Sequence, residues 1–190
     1  MYPLSHPCKA LSCEGQVGSA TLTSAWQTSY MKLALAPMKD SELQEWISSS
    51  LDDYIADRIE SGEQPELARA TAVDSFASLF PDGRVQDGHV VRKAVTEVGS
   101  AVGYVWIGPE NDGPVSAWWV WDIAVTEGFR SRGYGRQIME LAETEVRDRG
   151  GQTLGLHVFG FNVIARELYE SLGYQTTSIR MSKSLESVQA

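Results

Sequence analysis

The chain has 190 residues, 43% of them hydrophobic and 22% charged, with a formal net charge of −9 and a pI near 4.8. This length suits a single domain with a small appendage, and the acidic balance excludes a nucleic-acid surface, which would need a basic face. No apolar run approaches the roughly 20 residues that cross a bilayer, and no basic stretch precedes an apolar core near Met1, so neither a membrane span nor a secretory signal is expected and a cytoplasmic location follows.

Residues 1–30 are rich in Ser, Thr, Gly, Ala and Pro, and their Lys9 and Glu14 cancel, so the whole charge of −9 belongs to residues 31–190. A poorly ordered N-terminal extension is expected, with Met31 as an alternative start. Cys8 and Cys13 lie in this stretch and, with His6, supply three soft ligands without a fourth, so no metal site is expected. The remaining residues, 31–190, read as one domain.

That domain opens with a strand, Lys32–Ala36. Asp40 or Ser41 caps a helix, Ser41 and Gln44 fitting a capping box, and Leu43, Trp46, Ile47, Leu51, Tyr54, Ile55 and Ile59 recur at helical spacing. Pro65 starts a second helix, with Leu67, Ala70, Val73, Phe76, Ala77 and Phe80 on its apolar face. Three strands come next, at His89–Thr96, Ala101–Ile107 and Ser116–Val125, the last two joined by a Gly- and Pro-rich turn. A helix from Arg136 to Arg149 stops at Gly150-Gly151. Then come a strand at Thr153–Phe159, a helix at Val163–Leu172 and a final strand at Tyr174–Ser182. This order predicts a mixed α/β (α+β) sheet with antiparallel meanders and one strand–helix–strand crossover.

Arg130-Ser131-Arg132-Gly133-Tyr134-Gly135-Arg136 joins the strand ending Ile123-Ala124-Val125 to the helix after it. A helix start offers free N–H groups and a partial positive charge, and glycines let a ligand approach those groups closely. The three arginines would oppose the helix dipole unless an anion sits there. The segment is therefore expected to hold phosphate. A dinucleotide fingerprint fails because Ile138 stands at the third glycine position, and a Walker loop fails for want of Gly-Lys-Ser/Thr.

Arg-x-x-Gly-x-Gly after that strand, with Asn162-x-x-Ala165-x-x-Leu168-Tyr169-Glu170-x-x-Gly173-Tyr174 downstream, resembles the GNAT superfamily of acetyl-CoA-dependent N-acetyltransferases. The resemblance runs from Met31 to Leu185. His157-Val158-Phe159 and the closing Met181-Ser182-Lys183 look like an uncharacterised bacterial branch of it. It implies a mostly antiparallel central sheet, flanked by helices and splayed between its fourth and fifth strands.

It also implies acetyl-CoA as cosubstrate, with its pyrophosphate on the amides of Ser131 to Arg136 and its pantetheine arm on the backbone of Ile123, Ala124 and Val125. By the same resemblance, Asn162 anchors the next helix start and the pantetheine arm, and Tyr169, in the first turns of that helix, is the general acid. An N–H near Val125 polarises the acyl carbonyl. The alternative role for Tyr169 is that of a core residue with its hydroxyl satisfied.

Many family members carry a glutamate on the fourth strand, at the position of Trp119 here. Asp122 and His157 are the candidates for the base, and structural hydrogen bonding is the alternative role for both. Strand alternation puts Asp122 on the face opposite Trp119, Trp121 and Ile123. Trp118 and Trp119 face opposite ways, so one of them lines the acceptor pocket or a subunit contact in a homodimer. The acidic run Asp52, Asp53, Asp57, Glu60, Glu63 and Glu66 is a solvated face or borders an acceptor site for a cationic amine.

The expected activity is transfer of an acetyl group from acetyl-CoA to a primary amine, of a small molecule or of a protein or peptide, by direct attack in a ternary complex. No metal takes part, and neither nucleic acid nor membrane is a partner. The rival is a non-catalytic acyl-CoA-binding regulatory module on the same fold.

Overall fold

The computed structural model describes residues 31–110, 113–181 and 183. The expected N-terminal extension, with His6, Cys8 and Cys13, lies outside the described residues. Five strands, Leu33–Pro37 (β1), Val90–Thr96 (β2), Ala101–Pro109 (β3), Ala117–Val125 (β4) and Thr153–Leu156 (β5), form one sheet in the order β1-β2-β3-β4-β5. The first three pairings are antiparallel, and β4 with β5 is parallel. The crossover between β4 and β5 is a helix, Tyr134–Asp148 (α3), as the strand–helix–strand order requires.

The helices Asp40–Glu60 (α1) and Pro65–Leu79 (α2) cover one face; α3 and Val163–Ser171 (α4) cover the other. Leu33, Val105, Ile107, Trp118 and Val120 pack against Ile138, Met139 and Ala142 of α3 and Tyr169 of α4. On the opposite face Trp106 and Trp121 are fully buried and stacked, 5.4 Å between ring centroids, beside Trp46 of α1 and Phe76 of α2. Trp118 and Trp119 thus do face opposite sides, Trp119 lying with the α1/α2 cluster.

Three local expectations are corrected. α1 begins one residue earlier than an Asp40 cap allows and two earlier than a Ser41 cap: Lys39 is the cap residue, and its N–H donates to the Glu42 carboxylate at 2.7 Å. Glu42 also pairs with Lys93 of β2, tying the helix start to the sheet. The expected final strand is absent among the described residues, since Tyr174–Met181 makes no ladder. β-forming side chains produce a strand only against an available edge, and here none is engaged. β5 stops at Leu156 rather than Phe159.

β4 is irregular in two ways, and both bear on the site. Its pairing with β5 runs only from Ala117↔Thr153 to Val120↔Leu156, so Trp121–Val125 have no partner on that side among the described residues. The two strands are splayed there, as expected. In the pairing with β3, Trp106 opposes Asp122 while Ile107 opposes Val120, so Trp121 is an extra residue, a β-bulge.

Candidate active site

After Val125 a short 3₁₀ turn, Glu127–Phe129, drops the chain towards the start of α3. Ser131 (φ 60°) and Gly133 (φ 75°) both have left-handed backbones, and Gly133 is the cap residue of α3. Successive N–H groups in such a turn face one concavity, where an anion can accept from several at once. A cleft of about 180 Å³ opens there, lined by Val125, Phe129, Arg130, Ser131, Gly133, Tyr134, Gly135, Arg136, Ile164 and Leu168.

The cations are arranged around it. Arg130 Nε donates to the Val125 carbonyl at 3.2 Å, Arg132 lies over the Phe129 ring, and Arg136 donates to the Ser171 hydroxyl of α4. Tyr134 is buried and packs in the core beneath the turn. N–H donors, flexible-φ backbone and three guanidinium groups at one helix start are a donor set that fits a pyrophosphate. The adjoining free edge of Ile123, Ala124 and Val125 offers backbone groups to an amide-bearing arm. On the far side of that edge the chains are close: a Cβ on Gly103 of β3 would lie 2.2 Å from the Ala124 carbonyl oxygen. Gly103 therefore sets the position of β4 at the splay.

Gly133→Ala tests the turn. A left-handed backbone costs an L-residue about 1–2 kcal/mol, so the loop relaxes in the free protein and must be restored on binding. The expected result is roughly ten-fold weaker acetyl-CoA binding by calorimetry, with unchanged thermal stability to within a few degrees. Equal affinity would show that the turn amides do not hold the ligand.

α4 starts at Asn162, whose Oδ1 accepts from the Ala165 N–H at 3.2 Å, a side-chain cap. Tyr169 lies on the same helix, 3% exposed, with its ring edge-on to Tyr174 at 5.9 Å. It stands in the last turns of α4, not the first, because the helix begins only at Val163. Its neighbour Leu168 lines the cleft.

Asp122 is on the other face of the sheet. The expectation that it opposes Trp119 and Trp121 is wrong, and the bulge is the reason: one added residue breaks the alternation, so Trp121 and Asp122 both face α1 and α2, while Ile123 faces α3. The carboxylate is 4% exposed and accepts from Ser50 Oγ of α1 at 2.9 Å and from the Tyr104 hydroxyl at 2.8 Å. Burial pushes its pKa up to about 6, against the lowering effect of those hydrogen bonds, and the nearby charge of Asp53 adds to the rise. The Tyr104 phenol is raised well above its ordinary value, first by burial and then by the Asp122 charge.

Of the acidic run, then, Asp53 is exposed and electrostatically coupled to Asp122, Asp57 is buried, and Glu63 pairs with Arg58.

His157 comes directly after the end of β5, with its ring against Phe159. Its pKa is lowered by partial burial and by Arg180. The structure also assembles groups that carry no motif. His89 Nδ1 accepts from the Trp106 indole at 3.0 Å, and burial lowers its pKa to about 4, so the ring is neutral. The indole N–H groups of Trp119 and Trp121 are buried without a partner among the described residues. Trp119 lies across β5 at Gly155, where a Cβ would meet its ring at 2.5 Å. Only the bulge, which is not readable from residue types, brings Ser50, Tyr104 and Asp122 together. Among the described residues no group of three or more His, Cys, Asp or Glu could hold a metal ion, and no helix is long and apolar enough to cross a membrane.

Comparison with known proteins agrees with this geometry. The model of the Acetyltransferase (GNAT) family matches residues 42–174. An uncharacterized N-acetyltransferase of Bacillus subtilis, YycN, is 30% identical over 156 residues, which cover 82% of this chain and all of that protein. The crystal structure of YycN superposes with a TM-score of 0.76 at 29% identity, over 82% of this chain and 100% of that one. A shorter match, 43% identical over 61 residues, covers 32% of this chain and 41% of a Salmonella typhimurium enzyme that acetylates an alanine of ribosomal protein bS18. A turn whose donors fit an anion beside an unpaired β4 edge, and a match over most of the chain, lead to one conclusion: the protein belongs to the Acetyltransferase (GNAT) family and is an acetyl-CoA-binding transferase.

Proposed function

We propose that the protein is an N-acetyltransferase that moves the acetyl group of acetyl-CoA to a primary amine by direct attack within a ternary complex. The observation that carries this reading is the division of groups across the splay. The anion turn and Tyr169 lie with α3 and α4, whereas Asp122, held by Ser50 and Tyr104, lies with α1.

Acetyl-CoA supplies the activated thioester. The turn amides and Arg130, Arg132 and Arg136 bind its pyrophosphate, and the free edge of Ile123–Val125 orients its arm. An N–H near Val125 stabilises the oxyanion that forms when the amine attacks. Asp122 takes the proton that the amine must lose; a carboxylate titrating near 6 is largely ionised at neutral pH yet a stronger base than an ordinary one. Tyr169 gives a proton to the departing thiolate. His157, beyond the end of β5, is the weaker candidate for the base. Asp53 beside Asp122 favours a cationic acceptor, and the orphaned Trp119 and Trp121 donors suit an acceptor with oxygen near its amine.

Calorimetry with acetyl-CoA tests the cosubstrate. Thiol release across polyamines, amino acids, aminoglycosides and peptides with free N-termini tests turnover and ranks acceptors. Binding without turnover on any amine would favour a regulatory acyl-CoA-binding module instead; no binding would remove both. Intersecting initial-rate lines are expected for the best amine, and parallel lines would reject the ternary complex.

A further inference from the structure

Asp122 is all but closed to an amine. It is 4% exposed, and one oxygen, Oδ2, accepts from two hydroxyls at once, Ser50 Oγ at 2.9 Å and the Tyr104 phenol at 2.8 Å. The two donors differ in what lies beyond them. Ser50 is 1% exposed and sealed under α1. Tyr104 is half-buried, and so is Ala124, its partner across the β3–β4 ladder, although Ala124 carries only a methyl group. Cross-strand partners share a face and stand close together. Ala124 belongs to the stretch Trp121–Val125 that has no partner on the β5 side among the described residues. The phenol therefore stands between the open edge of β4 and the buried carboxylate.

Its surroundings fit a hydroxyl that passes a proton on. Burial, then the Asp122 charge, holds the phenol well above its ordinary range, so at neutral pH it keeps its proton and can donate it. Such a hydroxyl accepts one hydrogen bond while it donates another. Trp46 of α1 packs edge-on against the ring, centroids 5.5 Å apart, and fixes its place. Lys93 stands opposite on β2, but its ammonium is taken by Glu42. Asp53 of α1 is exposed, and its charge acts on both Tyr104 and Asp122. A cationic amine is thus drawn towards the phenol and not past it.

We propose that Tyr104 is a catalytic residue that carries the proton of the acceptor amine to Asp122, an inference that rests on the reading of this site as an N-acetyltransferase with Asp122 as its base. The bound ammonium loses one N–H proton to Tyr104 Oη, while the Oη proton moves along the existing hydrogen bond to Asp122 Oδ2. The freed lone pair attacks the thioester carbonyl carbon. The C–S bond then breaks with its electrons on sulfur. Tyr169 protonates the thiolate, and the second amine proton replaces the one Tyr169 gave. One proton remains, on Asp122, and passes to water once the products leave, as the conversion of an ammonium ion to an amide requires. Ser50 holds the carboxylate in place and takes no part in the transfer.

The test is the pH profile of kcat and kcat/KM for the best amine, from about pH 5 to about pH 9, in the wild type, Tyr104→Phe, Ser50→Ala and Asp122→Asn. Tyr104→Phe keeps the ring against Trp46 and leaves Asp122 its bond from Ser50, so the fold should hold; acetyl-CoA affinity within about three-fold of wild type, by calorimetry, verifies it. In Tyr104→Phe, kcat should fall by about 100-fold and stay low at every pH. A hydroxyl that only supports the carboxylate acts differently. Its hydrogen bond lowers the Asp122 pKa, so its loss moves the rising limb to higher pH and the rate recovers beyond it. Ser50→Ala should show that behaviour, with its limb shifted upward and not abolished. A limb that survives in Tyr104→Phe, shifted or not, with the rate recovered beyond it, overturns the relay and leaves Asp122 as the base. A limb that persists in Asp122→Asn, or a wild type that turns over no amine, overturns the relay together with the reading on which it rests.

Discussion

Tyr169→Phe is expected to lower kcat for the best amine by about 100-fold or more, the range over which a positioned general acid acts. Acetyl-CoA affinity should change by no more than two- to three-fold. The substitution isolates the hydroxyl because the ring does the packing: Tyr169 is 3% exposed in the core under α4 and edge-on to Tyr174, and phenylalanine fills the same space. Loss of a hydrogen bond by the hydroxyl would cost about 1 kcal/mol of stability, which a urea melt reads separately from turnover. Anchoring and proton transfer are thus distinguishable. Unchanged kcat would leave Tyr169 as a packing residue and move the acid elsewhere.

Asp122→Asn should alter both the pH dependence of stability and the rate. The folded pKa of Asp122 is about 6, above the 3.8 of an unperturbed aspartate. Protons are therefore bound more tightly by the folded chain, and stability falls as pH rises through this interval. A shift of that size corresponds to about 3 kcal/mol, fully favourable below pH 4 and lost by about pH 7. Urea unfolding at pH 4.5 and 7.5 should show this decline in the wild type, with a correspondingly smaller decline in the variant. In kinetics, kcat/KM should rise with pH through an apparent pKa near 6 in the wild type. In Asp122→Asn that limb should disappear and the rate at neutral pH fall by about 100-fold. A persisting limb near 6 would assign the base to another group, His157 first among them. A variant that loses the stability slope but keeps its rate would make the carboxylate structural only.

The helices and strand order are legible in the sequence because they rest on periodicity and on glycine and proline punctuation. Trp46, Tyr54 and Phe76 declare their helices, and Gly133 and Gly135 declare the anion turn, by local pattern alone. The turn conformation is legible for the same reason, whereas the open edge of Ile123–Val125 and the part of Asn162 at the start of α4 are expected only through the family resemblance. What escapes depends on contacts distant in sequence. The Ser50–Asp122 hydrogen bond spans 72 residues, and nothing near Ser50 marks it as a partner. Alternation misplaces Asp122 because it holds only while two strands stay in step, and β3 and β4 lose step at Trp121. A final strand is expected but absent among the described residues, because strand-forming composition does not by itself engage a partner edge. The cap of α1 falls at Lys39 because the Glu42 carboxylate serves the Lys39 N–H whatever the cap side chain is.

The extra residue in β4 resolves a conflict of occupancy. In an unbroken strand only one of two successive side chains can enter a given layer, so that layer could hold an indole to fill space or a carboxylate to manage protons, but not both in adjacent places. Trp121 and Asp122 occupy it together. Removing Trp121 would restore an uninterrupted ladder and leave Asp122 opposite Trp106 on the same face, but with a hole where the indole now stacks on Trp106.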